Sequence, residues 1–246
     1  MKRILTTMLF IFVSAILALA QTPKPESLPS AEQIIDKYIQ ALGGRAAIEK
    51  ITSRVAKGTI DVPVAGASGT VEAYLKAPGK GGSIASLSGL GEFLQGCDGK
   101  TAWTSDPFQG MRDLSGVELA AAKRESDIHD DLKYKQTFSK MTVTGKQKLG
   151  SIDVYVIDAV PVEGNPEKLY FDAQTGLLLR RDVEIESPQG KLPSENYLED
   201  YREVDGVKIA HTVRQVTPAY ELTIKFTEVK HNVPIDDAKF NKPAAK

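Results

Sequence analysis

The sequence predicts a mainly β (α+β) fold, one antiparallel sheet with helices only near the start and in the middle of the chain. Three observations predict it. About a dozen segments of strand length alternate apolar and polar residues with a period of two. The breaks between them are short and rich in Gly, Pro and Asp, which suits hairpins rather than helical crossovers. Apolar residues fall at helical spacing only after Ser30, and strong helix formers cluster only after Ser115. A sheet of this length must curl, close or be covered, and the two helical stretches are placed to cover one face.

Composition sets limits on function. The 246 residues are 41% hydrophobic and 26% charged, which excludes collagen-like, coiled-coil and disordered classes. With 31 Lys+Arg against 32 Asp+Glu the chain has no field to hold a polyphosphate, so no nucleic-acid partner is expected. One cysteine, Cys97, excludes a disulfide framework and a thiolate zinc site, and it reads as a small buried hydrophobe. His129, His211 and His231 share no metal-ligand spacing. No metal and no cofactor are expected.

Lys2 and Arg3, an apolar run from Met8 to Ala20 and the ending Ala18-Leu19-Ala20 describe a secretory signal peptide over residues 1–20, cleaved before Gln21. The run is short for a membrane anchor and is followed at once by Gln21 and Pro23. Export to the periplasm follows. Residues 21–30, with three prolines, read as a flexible leader, and 31–246 as one domain.

Ser30 is the N-cap of a helix carrying Ile34, Ile35, Tyr38, Ile39 and Leu42; Gly43-Gly44 interrupts it, and a second short helix carries 46–50. Strands are predicted over 55–62, 70–77, 83–88, 92–97 and 100–105. Ser115, with Glu118 three residues on, reads as a capping box for a helix over 115–128 whose apolar face is thin, so that it lies over a surface. Strands resume over 141–149, 152–160, 168–172, 177–186, 197–204, 207–216 and 221–229, with Asp205-Gly206 as the strongest hairpin signal.

Three pieces carry a family resemblance. Residues 98–108 (DGKTAWTSDPF) form a hairpin that delivers Trp103 to one sheet face, with Asp106-Pro107 as a rigid exit into the mid-chain helix segment; residues 74–78 (YLKAP) are a strand ending in a Pro turn; residues 233–243 (VPIDDAKFNKP) are an acidic pair followed by Ala, a basic residue, Phe and Pro. In order and rough spacing these resemble the periplasmic carriers that take lipoproteins to the outer membrane, the LolA/LolB-like family. The resemblance implies an unclosed antiparallel half-barrel of about eleven strands, its concave hydrophobic face covered by the N-terminal and mid-chain helices. It implies a carrier or binding protein for the acyl or other apolar part of a lipid or lipoprotein. Where those carriers have an Arg before the turn Pro that ties lid to sheet, this chain has Ala77.

Period-two parity supplies candidate walls for such a cavity: Val71 and Leu75, Leu87, Phe93, Leu169 and Phe171, Ile209 and Val213, Ile224 and Phe226, with Trp103 either as wall or as core. Lys, Glu, Arg and Thr fall opposite, as a water-facing convex side requires. The same stripes also suit the filled core of a closed barrel or sandwich. Glycines 81–82 and residues 86–91 read as turns, or as hinges that widen the cup.

No enzyme is expected. Ser126, Asp127, His129, Asp130 and Asp131 look triad-like, but neighbours on one segment do not converge on one reacting atom, and they read as a solvated acidic patch. Glu184, Glu186, Glu199, Asp200 and Glu203 read as carboxylates of the wet face, and no phosphate-binding glycine loop is present. The expected partners are acyl chains, with an inner- or outer-membrane protein as a further one, and the chain is expected to be a monomer. The other reading is a non-enzymatic sensor module on the same fold, as in the sigma-factor regulatory proteins that use it.

Overall fold

The computed structural model describes residues 27–187 and 190–243. The signal peptide, its cleavage point and the leader up to residue 26 lie outside the described residues. No described helix is long and apolar enough to cross a membrane.

In chain order the elements are α1 (Ala31–Ala41), α2 (Arg45–Ile48), β1 (Ser53–Val62), β2 (Ala67–Lys76), β3 (Lys80–Leu87), β4 (Gly91–Cys97), β5 (Ala102–Asp106) and β6 (Gly110–Asp113). There follow α3 (Gly116–Glu125), α4 (Tyr134–Thr137), β7 (Phe138–Leu149), β8 (Ile152–Pro161) and β9 (Glu167–Asp172). The last strands are β10 (Leu178–Ser187), β11 (Gly190–Val204), β12 (Val207–Val216) and β13 (Glu221–His231). All thirteen strands join one sheet in the order β6-β5-β4-β3-β2-β1-β13-β12-β11-β10-β9-β8-β7. Every pairing is antiparallel. The first and last strands meet in the middle, so β6 and β7 are the two edges and the sheet is not closed.

That topology builds the lid. The chain leaves one edge at β6 and must re-enter at the other at β7, so residues 114–137 cross one face of the sheet, carrying α3, a 3₁₀ turn (Asp130–Leu132) and α4. Helix α1 covers the other half of the same face: Ile34, Ile35, Tyr38, Ile39 and Leu42 pack on Ile157, Leu169, Phe171 and Val207. Each fully buried aliphatic side chain contributes roughly 1.5–3 kcal/mol, which makes this the main seam of the fold. Ser30 caps α1 through a capping box with Gln33. Gly43 then sits at φ +126°, where a Cβ would lie 2.1 Å from the Gly206 carbonyl oxygen. Only glycine permits that approach, and it lets the Lys208 N–H donate to the Leu42 carbonyl at 2.7 Å.

Two sequence expectations are corrected here. Asp106-Pro107 is not an exit: Asp106 Oδ1 accepts from the Phe108 and Gln109 N–H groups, turning the chain back into β6. Ser115 makes no side-chain cap, because Glu118 is engaged by Arg112 in a two-bonded ion pair instead.

The convex face is not uniformly wet either. Cross-strand partners share a face, and Val55, Tyr74, Gly82, Gly96 and Trp103 form one such row. The C-terminal segment folds over it, so that Tyr74, Ile235 and Phe240 are buried together. Val154, Val156 and Tyr170 form a second buried cluster; register sets them opposite the row of Ile157, Leu169 and Phe171.

Candidate ligand-binding hollow

Register defines the inner face. Leu75, Ala73 and Val71 pair with Arg54, Ala56 and Gly58 on β1, and these pair in turn with His231, Val229 and Phe226 on β13. Between this face and the lid lies a hollow in two lobes of about 310 and 370 Å³. The lobes share Tyr38, Asp131, Leu198 and Val213. Pockets of roughly 300–1,000 Å³ commonly hold drug-sized ligands. A further space of about 220 Å³ lies under α3 beside Leu75, Cys97 and Ala122.

Six of the candidate wall residues meet here. Leu75, Ile209, Val213 and Phe226 line the first lobe; Leu169, Phe171 and Val213 line the second. Leu169 and Phe171 also pack beneath α1, with the Phe171 ring edge-on to Tyr38 at 5.4 Å. Val71, Leu87, Phe93 and Ile224 are elsewhere. They share the inner face but pack with Ile60, Ala67 and Ala85 into a separate cluster. The chain fills that end of the cup itself. Of the two readings for Trp103 the structure takes the core one: the residue is buried on the outer face, its Nε1–H donating to the Phe240 carbonyl at 3.2 Å.

The hollow is not purely apolar, which the sequence reading missed. Asp130 and Asp131 keep accessible surface, as a solvated acidic patch does, but both also line the second lobe. Burial pushes the Asp130 carboxyl up to about 6, Arg124 opposing the rise and Asp131 adding to it. Asp131 retains accessible surface because it faces the lobes, and burial nonetheless pushes its carboxyl up against the pull of Tyr38 and Arg54. Tyr38 is held well above the usual phenol range by burial and by Asp131, and Tyr201 is raised by the same two causes. Arg54 stands in the first lobe beside them. Its Nε–H donates to His231 Nε2 at 3.0 Å, so the proton of the neutral ring is on Nδ1. That Nδ1 is buried without a hydrogen bond, with Asp205 Oδ2 3.4 Å away. Burial, then Arg54, lowers the His231 pKa and keeps the ring neutral.

A charged strut fixes the lid. Glu167 on β9 is 2% exposed and lies between Arg124 of α3 and Arg181 of β10. Arg181 Nε–H and Nη2–H donate to it at 2.7 and 3.2 Å. Burial opposes the Arg181 charge, but Glu167 and Glu125 outweigh it and raise the pKa. The tie that Ala77 cannot supply is thus made by other residues. Strand parity alone could have flagged Arg54 and Arg181, because each interrupts an inward row of uncharged residues with a cation.

The likeness to known proteins follows from this architecture. A DUF1329-family protein from Desulfovibrio piger superposes with a TM-score of 0.56 at 16% identity, covering 85% of this chain and 96% of that one. An outer membrane lipoprotein-sorting protein domain from Vibrio parahaemolyticus gives 0.56 at 15% identity over 85% and 97%. A LolA-superfamily protein from Nitrosomonas europaea gives 0.56 at 12% identity over 87% and 99%. The chain shares the fold of these three proteins. At these identities the likeness extends to the LolA-type fold alone. No protein-family model and no curated protein matches the sequence.

Proposed function

We propose that the protein is a periplasmic binding protein or carrier for the acyl or other apolar part of a lipid or lipoprotein, acting as a monomer and without catalysis. The observation that carries this reading is the two-lobed hollow on the inner face, which the chain's own side chains leave unfilled. An acyl chain needs only apolar wall and exclusion of water, each buried methylene contributing about 0.8 kcal/mol. The walls supply that from Leu75, Leu198, Ile209, Val213 and Phe226 on one side and Leu169, Phe171 and Leu178 on the other. Helix α3, which adds Arg124 to the second lobe, buries none of its residues, so once the Arg124–Glu167 pair opens, lifting the helix exposes little of its own apolar surface. The signal-like residues 1–20 support export, and the lipoprotein-sorting description of one LolA-type neighbour supports the substrate class.

The test is native mass spectrometry of detergent-free periplasmic protein, with displacement of a fluorescent fatty acid. Co-purifying lipid or saturable displacement is expected. Val213→Asp, at the junction of the lobes, is expected to abolish displacement while the protein stays folded. Absence of both signals in folded wild-type protein would end the reading.

A further inference from the structure

Arg54 is unlike the other arginines. Among the described residues Arg45, Arg112, Arg124, Arg180, Arg181, Arg202 and Arg214 each have a carboxylate oxygen within 4.0 Å. Arg54 has none, and its hydrogen bond is the one that Nε donates to His231. It sits half-buried on the inner face, in the wall of the first lobe, with Ala56, Leu75, Ile209 and Phe226 beside it and Asp127 and Asp131 in the same wall. A half-buried guanidinium with no carboxylate at ion-pair distance gains from an anion that meets it. Nε is held by a neutral ring, which fixes the plane of the group and leaves the two terminal nitrogens as a fork, the arrangement that takes a carboxylate through two parallel bonds.

We propose that Arg54 is the seat of an oxyanion head group, so that the hollow takes a single-chain amphiphile head-first: a fatty carboxylate paired with the Arg54 fork, its chain passing Leu198 and Val213 into the second lobe. This rests on the hydrophobic-cavity reading above and adds the ligand's chemistry to it. The lobes favour one chain, since together they are the size of a site for one modest ligand rather than for several tails. Asp131 is the competing anion: it interacts with Arg54 beyond ion-pair distance, and its charge weakens the seat for a second carboxylate.

The experiment compares palmitate with palmityl alcohol as competitors of a fluorescent fatty-acid probe at pH 8, on the full mature chain. Wild-type protein is expected to bind the acid at least about tenfold more tightly than the alcohol, in line with a charge-assisted forked pair. Arg54→Gln is expected to bring the acid-to-alcohol affinity ratio to about one, and Asp131→Asn to raise that ratio several-fold. Equal affinity of wild-type protein for acid and alcohol overturns the seat and leaves the hydrophobic hollow standing. Failure of the folded wild-type protein to bind either overturns the hollow itself. Should Arg54→Gln fail to fold, the wild-type ratio and the Asp131→Asn shift decide.

Discussion

The two ends of the concave face are built from the same pattern and finish differently. At one end Ile60, Ala67, Val71, Ala85 and Leu87 close on one another and on Phe93 and Ile224. At the other, Leu75, Leu198, Ile209 and Val213 border open space, across which the lid segment presents Asp127 and Asp131 beside Ile128. Period-two alternation marks both stretches as inward. It says nothing of whether the inward side chains meet their own kind, which depends on what crosses above them.

The largest expected effect tests that contrast directly. Val71 is 4% exposed within the self-filled end, so Val71→Asp buries an unpaired charge and is expected to cost more than about 4 kcal/mol, seen as loss of the cooperative thermal transition. Val213→Asp makes the same chemical change facing the hollow and is expected to leave the transition in place while removing ligand uptake. Equal losses of stability at the two positions would mean that the hollow is structurally a core.

Next in size is the strut between lid and sheet. Glu167→Gln keeps the shape but leaves Arg124 and Arg181 facing each other without their shared carboxylate. Removing one partner of a buried pair costs about 3–5 kcal/mol; both arginines retain a route to water, so a loss near 3 kcal/mol is expected in chemical denaturation. The lid should also become the first site of limited proteolysis. An unchanged cleavage order would show that α3 is held by something other than this pair.

Trp103 tests the facing of the sheet. Trp103→Phe removes the hydrogen bond to the Phe240 carbonyl and part of the packing over Gly96, where a Cβ would come within 2.6 Å of the indole nitrogen. A loss of about 1–2 kcal/mol in thermal or denaturant unfolding is expected, with ligand affinity unchanged. Altered affinity would return the indole to the inner face.

Much of the frame was legible in the sequence because it rests on local chemistry. Ser30 with Gln33, the Gly43-Gly44 break and the Asp205-Gly206 turn each specify a backbone conformation through their own atoms. The alternation of Leu75, Ile209 and Val213 follows from the pleat. What stayed hidden depends on partners distant in sequence. Glu118 abandons its cap for Arg112, Trp103 turns outward because Phe240 lies there, and Asp130 and Asp131 are drawn inward because the lid must cross from edge to edge. None of these choices leaves a mark within its own stretch of chain. Arg54 did leave one, as a cation in an inward row, but a pattern search for apolar walls passes over it.

The smallest expected effect belongs to the lid side of the comparison, where a titrating group, Asp130, borders the hollow. Burial moves Asp130 from 3.8 to about 6, so the folded protein keeps a proton that the unfolded chain releases in that interval. Its contribution to stability is therefore full below about pH 4 and declines as pH rises through about 6. The side chain is still 37% accessible, and solvent screening reduces the effect to about 1 kcal/mol. Asp130→Asn preserves an acceptor for the Thr137 hydroxyl, which donates to Oδ1 at 3.1 Å, and removes the titration. The difference in Tm between variant and wild type should thus shift in favour of the variant as pH is raised from 4 to 6, and stay constant above that. Parallel profiles across the interval would mean that Asp130 is already open to water, and that the lid stands further from the sheet than the self-filled end suggests.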